Sequence, residues 1–334
     1  MKKPRTGCEV FLFLPGSSRQ RFLPGAVAAG RASGFGDMSQ VTQREYIYKP
    51  NGEVPEGEGL PEGLRRIALG VEYCGAKLHG FQKQKSASET VQAHLERALS
   101  TIAAEDVTLV CAGRTDAGVH ATNQVIHFDT RAQRPDRAWV QGVNTKLPDS
   151  VRVRWAREMP AQFHARFSAH ARSYRYLIHS APTRSAHSAA EVTWTQHSLD
   201  LEAMREGASY LIGRHDFTSY RASQCQAKSP VREITRLDIA SVGQLVALEI
   251  SANAFLHHMV RNITGVLMAV GRGERPPIWV KEVLDQRDRS AGGVTAPPFG
   301  LYLVDVRYPD HFQLPQCEPG PLLVPQPLGA LLSS

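Results

Sequence analysis

The sequence is short of cysteines, aromatics and long apolar runs. Its five cysteines (Cys8, Cys74, Cys111, Cys225, Cys317) are odd in number and widely spaced, with no Cys-x-x-Cys pair. That pattern argues against a disulfide framework and a zinc site and fits reduced thiols in a cytoplasmic protein. No apolar stretch reaches the roughly 20 residues of a membrane-spanning helix. Neither a phosphate-cradling Gly-x-x-x-x-Gly-Lys loop nor a dinucleotide fingerprint stands between a strand and a helix, which removes the commonest nucleotide-cofactor folds. The start, Met1-Lys2-Lys3 with Val10 to Leu14, mimics a signal peptide only faintly. Glu9 interrupts it and Pro15-Gly16 ends it.

What is present is a basic chain of 334 residues, net charge +7 and 42% hydrophobic. Residues 1–37 hold six cations against two acids, a net +4, which leaves +3 for the remaining 297 residues. An anionic partner must therefore be argued from local clusters. Residues 1–62 are dense in glycine, proline and arginine and read as a disordered leader, with Met38 an alternative start. Pro315 to Ser334, rich in proline and leucine, reads as a loose tail.

Between them the pattern is regular. Arg66 to Tyr73 alternates as a strand. A helix follows with a capping box from Ser86 to Glu89 and an apolar stripe of Val91, Leu95, Ala98, Leu99 and Ile102. Val107–Val110 and Val125–Phe128 read as strands, then a weaker helix around Ala138–Thr145 and a strand at Val151–Trp155. This β-α-β-β-α-β order is the ferredoxin-like pattern that RNA-recognition modules also use. The second half roughly repeats it. Its strands lie at Arg172–Ile178, Ile234–Ile239, Leu245–Ser251 and Leu301–Val306, and its helices at Leu199–Leu211, Phe255–Val270 and Ile278–Leu284. The expected fold class is α+β, two ferredoxin-like halves (65–160 and 161–312) with antiparallel sheets flanking a basic cleft.

Three segments carry chemistry. Cys111-Ala112-Gly113-Arg114-Thr115-Asp116-Ala117-Gly118 puts one carboxylate in a glycine-bracketed loop between two strands. That suits a nucleophile or general base, though an Asx-type turn would use the same residues. Arg261 sits within a helix whose apolar residues wrap most of its surface, so its charge needs a partner unless the side chain snorkels to water. Asp116 is the best candidate for that partner. His164 to Arg175 holds three arginines, two histidines and no acid, interleaved with Phe167 and Tyr174 and preceded by Phe163. This composition suits single-stranded or looped RNA, or else an ordinary solvated basic strand. Arg221, Lys228, Arg232 and Arg236 could extend such a surface. His257-His258, placed side by side on a helix, would point in different directions and make a poor metal pair, so no metal is expected.

Taken in order, Glu72-Tyr73-Cys74-Gly75, Gly80-Phe81-Gln82, Gly113 to Gly118, Phe163 to Phe167, Tyr174-Arg175-Tyr176 and His257 to Asn262 resemble the motifs of the bacterial tRNA pseudouridine synthase A family. The resemblance runs from about Arg66 to Pro315. It implies a cofactor-independent isomerase that converts uridines 38 to 40 in the tRNA anticodon arm, with Asp116 catalytic, Tyr174 against the target base and Arg261 pairing the aspartate. Arg114, together with Phe163, His164, Ala165, Arg166, Phe167 and the run Gln224, Cys225, Gln226, Ala227 and Lys228, would contact tRNA. A homodimer is also implied. Cys74 departs from the family, which usually has aspartate there. The alternatives from other classes are a non-catalytic RNA-binding module, which gives no reason for Asp116 with Arg261, and a glycosidase, which would release free uracil.

Overall fold

Strand alternation, three short amphipathic helices and one strongly apolar helix generate the architecture. The computed structural model describes residues 60–84, 87–318, 320–324 and 328. The expected leader therefore lies almost wholly outside the described residues.

The elements are β1 (Arg65–Tyr73), α1 (Val91–Ala103), β2 (Leu109–Cys111), β3 (His120–Thr130), β4 (Val151–Met159), β5 (Ala171–Ser180) and β6 (Thr193–Thr195). There follow α2 (Leu201–Ser209), β7 (Gly213–Asp216), β8 (Val231–Val242), β9 (Leu245–Ala252), α3 (Met259–Gly271), α4 (Trp279–Gln286) and β10 (Leu301–Arg307). Local signals explain the boundaries. Thr90 caps α1 by accepting from the Ala93 N–H, and Asp200 caps α2 by accepting from Ala203. The expected capping box differs: Ser86 lies outside the described residues, and the cap falls at Thr90. The weak helix near Ala138 is a π-helical turn, Ala138–Gly142, which buries Trp139 completely.

The strands form one ten-stranded sheet in the order β4-β1-β3-β10-β5-β9-β8-β7, with β2 on β3 and β6 on β5. All pairings are antiparallel except β3–β10 and β5–β6. The protein is thus a mixed α+β fold built on a large, mostly antiparallel sheet. At its middle, β10 joins β3 through only Tyr302 opposite His120 and Leu303 opposite Ala121. Side chains alternate between the faces. Tyr174, Tyr176 and Ile178 of β5 enter the main core with Leu267 and Val270 of α3, whereas Leu177 faces a second cluster with Ala247 and Val304.

Within the segment expected as a loose tail, Val324 and Leu328 are buried in that second cluster, whereas Leu322 and Leu323 are exposed. The buried Arg175 guanidinium donates to the Val324 carbonyl and pairs with Glu249. Two arginines expected on an RNA surface are thereby structural. Arg175 is fully buried, and Arg172 donates to the carbonyls of Ala112, Arg166, Ala169 and Asn253. Arg236 likewise pairs with Asp238 and Glu249.

Candidate active site

The Asp116 loop connects β2 to β3 and is tethered along its length. The Thr115 carbonyl accepts from the Phe81 N–H at 3.0 Å, and the Asp116 carbonyl from the Val119 N–H at 3.1 Å. Gly118 adopts φ +79°, and a Cβ there would stand 2.9 Å from Pro298, so both the turn and the close approach require glycine.

Asp116 faces the start of α3. An Arg261 Nη1 donates to its Oδ2 at 3.3 Å across 145 residues of sequence. Arg261 is itself held at both ends: its Nε donates to the Ala296 carbonyl at 2.8 Å, and its own carbonyl accepts from the Ala296 N–H at 3.1 Å. Its side chain is 14% exposed, so the pairing is realised and the snorkelling alternative falls.

His257 and His258 complete the cluster, which overturns their placement on a helix. The helix begins at Met259, not Phe255, because His258 takes the left-handed conformation at φ 61°. That turn brings the two ring centroids to 4.0 Å, tilted by 41°, and each Nε2 to 3.3 Å from an Asp116 oxygen. Burial lowers the His258 pKa below the ordinary histidine value, although the Asp116 charge opposes the shift. Asp116, His257 and His258 offer ligand atoms within 4.8 Å of one another. The fixed positive charge of Arg261 at the same carboxylate disfavours a cation there.

Tyr174 on β5 lies beside this cluster. Its ring meets Phe255 edge-on at 5.0 Å, and a Cβ on Gly113 would lie 3.6 Å from its hydroxyl. Burial raises the phenol's pKa above the ordinary tyrosine range; Arg172 opposes this and the Asp116 charge adds to it. The phenol is therefore neutral at physiological pH, able to donate a proton but not to act as a phenolate base.

The remaining candidates divide by exposure. Arg114, Arg166 and Phe167 are exposed, whereas Phe163 and Ala165 are fully buried and support the segment from beneath. Phe163 packs against Tyr308 and Phe312, each at 5.2 Å. His164 stacks on Phe167 at 4.4 Å, and the Arg166 guanidinium lies 5.4 Å from the same ring centroid. Gln224, Gln226 and Lys228 are exposed, with Cys225 and Ala227 half-buried. Their loop is joined to the carboxylate cluster where the Ala222 N–H donates to the His257 carbonyl at 2.9 Å. Cys74 is exposed just beyond β1.

Comparison with known proteins gives a consistent result. A family model described as tRNA pseudouridine synthase matches residues 70–168 and 208–309. A tRNA pseudouridine synthase A from Pseudomonas aeruginosa is 58% identical over 264 residues, covering 79% of this chain and 93% of the relative. One from Alcanivorax borkumensis is 54% identical over 267 residues, covering 80% of this chain and all of the relative. Among solved structures, an H/ACA ribonucleoprotein bound to a substrate RNA containing 2′-deoxyuridine aligns at 9% identity. Its TM-score is 0.30, over 60% of this chain and 44% of that one.

Proposed function

Because this chain belongs to the bacterial tRNA pseudouridine synthase A family, cofactor-independent isomerases of tRNA uridine, we propose that Asp116 is the carboxylate that carries its chemistry. The observation behind this is convergence. Arg261, His257 and His258 all meet one carboxylate at 3.3 Å, beside a buried neutral phenol.

The isomerisation breaks the N1–C1′ bond, turns the detached uracil and joins C5 to C1′. The C5 proton leaves and N1 gains one, so atoms balance without redox or hydrolysis. The target nucleotide must first leave its stack, which costs a few kcal/mol. The exposed Arg114 and Arg166 can offset that through phosphate contacts. Phe167, exposed and braced by His164, offers a platform for an unstacked base. Asp116 then attacks C1′ or removes a proton from the sugar; both routes need the carboxylate fixed and ionised. Tyr174 would lie against the uracil, its neutral hydroxyl positioned as a proton donor.

The reading extends to uridines 38 to 40 of the anticodon arm, to a homodimer and to the cytoplasm. It also takes the sheet as two ferredoxin-like halves flanking a basic cleft. The repeated strand order supports this, β4-β1-β3-β2 in residues 65–160 and β10-β5-β9-β8 in 161–312. Wild-type, Asp116→Asn and Tyr174→Phe proteins, incubated with an unmodified tRNA transcript, test the assignment by carbodiimide-dependent reverse-transcription stops. Asp116→Asn is expected to bind the transcript normally and give no stops. Tyr174→Phe should slow turnover about 10²-fold, the lower range for a lost general acid. Stops produced by Asp116→Asn would remove Asp116 from the mechanism.

A further inference from the structure

Gln124 of β3 is fully buried and lies outside the carboxylate cluster, yet its carboxamide grips the loop that carries Asp116. The β2–β3 ladder runs from Leu109 opposite Phe128 to Cys111 opposite Ile126, followed by an Ala112 N–H to Val125 carbonyl bond at 2.8 Å. At the next step the chain leaves the sheet. There the Gln124 side chain takes the place of the missing strand partner. Its Nε2 donates to the Gly113 carbonyl at 2.6 Å, and its Oε1 accepts from the Gly113 N–H at 3.3 Å. The same Nε2 donates to the Tyr73 hydroxyl at 3.3 Å, and that hydroxyl shares a hydrogen bond with Thr115 Oγ1 at 2.8 Å. One amide therefore fixes Gly113 directly and Thr115, the neighbour of Asp116, through Tyr73.

We propose that Gln124 is a positioning residue for catalysis, holding the Asp116 loop through a two-point bond to Gly113 and a relay through Tyr73. The inference rests on Asp116 being the catalytic carboxylate. The amide's polarity is used fully, since it donates and accepts on one backbone unit. A methionine fills similar space and does neither. A glutamate does both only when protonated; ionised, it sets a negative oxygen against the Gly113 carbonyl. Burial favours the protonated form, so acid should restore the grip.

The test measures kcat and KM on tRNA for wild type, Gln124→Met, Gln124→Glu and Asp116→Asn. Gln124→Met is expected to lose about 10²-fold in kcat, the effect of a misplacement near 1 Å, with KM and tRNA affinity within about twofold of wild type. The Gln124→Glu rate, taken relative to wild type at each pH, should climb as pH falls from 8 to 5.5. A filler role for Gln124 would produce no such climb. A wild-type kcat in Gln124→Met, a loss confined to KM, or a pH-independent deficit in Gln124→Glu would each overturn the proposal. If Gln124→Met does not fold, Tyr73→Phe breaks the relay while keeping the ring, and should lower kcat about tenfold; unchanged kcat there would also overturn it. Full turnover by Asp116→Asn would sink the reading of Asp116 itself. With Asp116→Asn inactive, a wild-type Gln124→Met rate sinks only this inference.

Discussion

Removing Arg261 should cost both stability and turnover, and a double-mutant cycle with Asp116 separates the ion pair from everything else the arginine does. At 3.3 Å two unit charges attract by about 5 kcal/mol at an effective dielectric of 20 and about 1.3 kcal/mol in bulk water. Asp116 is 27% exposed and Arg261 14%, so the pair lies between these limits, and desolvation subtracts from the gain. A coupling energy of about 1–3 kcal/mol is expected. Arg261→Met alone should cost more, because the buried Ala296 carbonyl also loses its donor at 2.8 Å. An unsatisfied buried acceptor costs about 1–3 kcal/mol. That loss occurs whether residue 116 is Asp or Asn, so it cancels in the cycle. The assay is urea unfolding of wild type, Arg261→Met, Asp116→Asn and the double variant at pH 7.5, with tRNA turnover measured alongside. Arg261→Met should lose at least about 10²-fold in kcat at unchanged tRNA affinity, as expected when the charged partner of the proposed catalytic carboxylate is removed. A coupling below about 0.5 kcal/mol, within the scatter of independent sites, would show that contact without energetic consequence had been mistaken for an ion pair.

Arginines that look alike in sequence should behave oppositely. Arg175→Met breaks a fully buried pair with Glu249 and should destabilise by about 3–5 kcal/mol, leaving the salt dependence of tRNA binding unchanged. Arg166→Ala should reduce the slope of log affinity against log salt by about one, with stability within about 0.5 kcal/mol of wild type. Reversed outcomes in filter-binding and urea experiments would refute the division. His120 accepts from the Gly75 N–H at 3.2 Å and bonds the Phe299 carbonyl at 3.0 Å, and burial lowers its pKa to about 4. Its folded pKa lies below the unfolded 6.5, so its contribution is complete above pH 6.5 and is lost as pH falls toward 4. The loss is about 3 kcal/mol, and His120→Gln should flatten that part of the stability–pH curve measured by urea unfolding. An equal slope in the variant would refute it.

Much of the site could be read from residue types alone. Asp116 stood out because glycines bracket it between two strand-like runs, and Arg261 because the apolar residues around it leave a charge needing a partner. His257 and His258 were misread because helical periodicity extends back to Phe255, and nothing local marks the left-handed turn at His258 that swings both rings onto Asp116. Gln124 lies just before the expected strand Val125–Phe128, and nothing local marks it. Its role emerges only where β2 ends and its amide replaces the missing ladder.

Arg166 and Arg175 show the division most clearly. Alternation along β5 determined that Tyr174 and Arg175 point to opposite faces, because a strand has a period of two. It did not determine which face would be covered. A segment 149 residues further along supplies the Val324 carbonyl, and β9 supplies Glu249, turning an apparently RNA-facing arginine into a buried one. The sequence by itself determined most of the strands and helices, the α+β class, the glycine-bracketed Asp116 loop and the family, because these depend on neighbours a few residues apart. The tertiary structure alone decided which charges meet, which are buried and which stay exposed, because burial and pairing depend on groups that only the folded chain brings within a few ångströms.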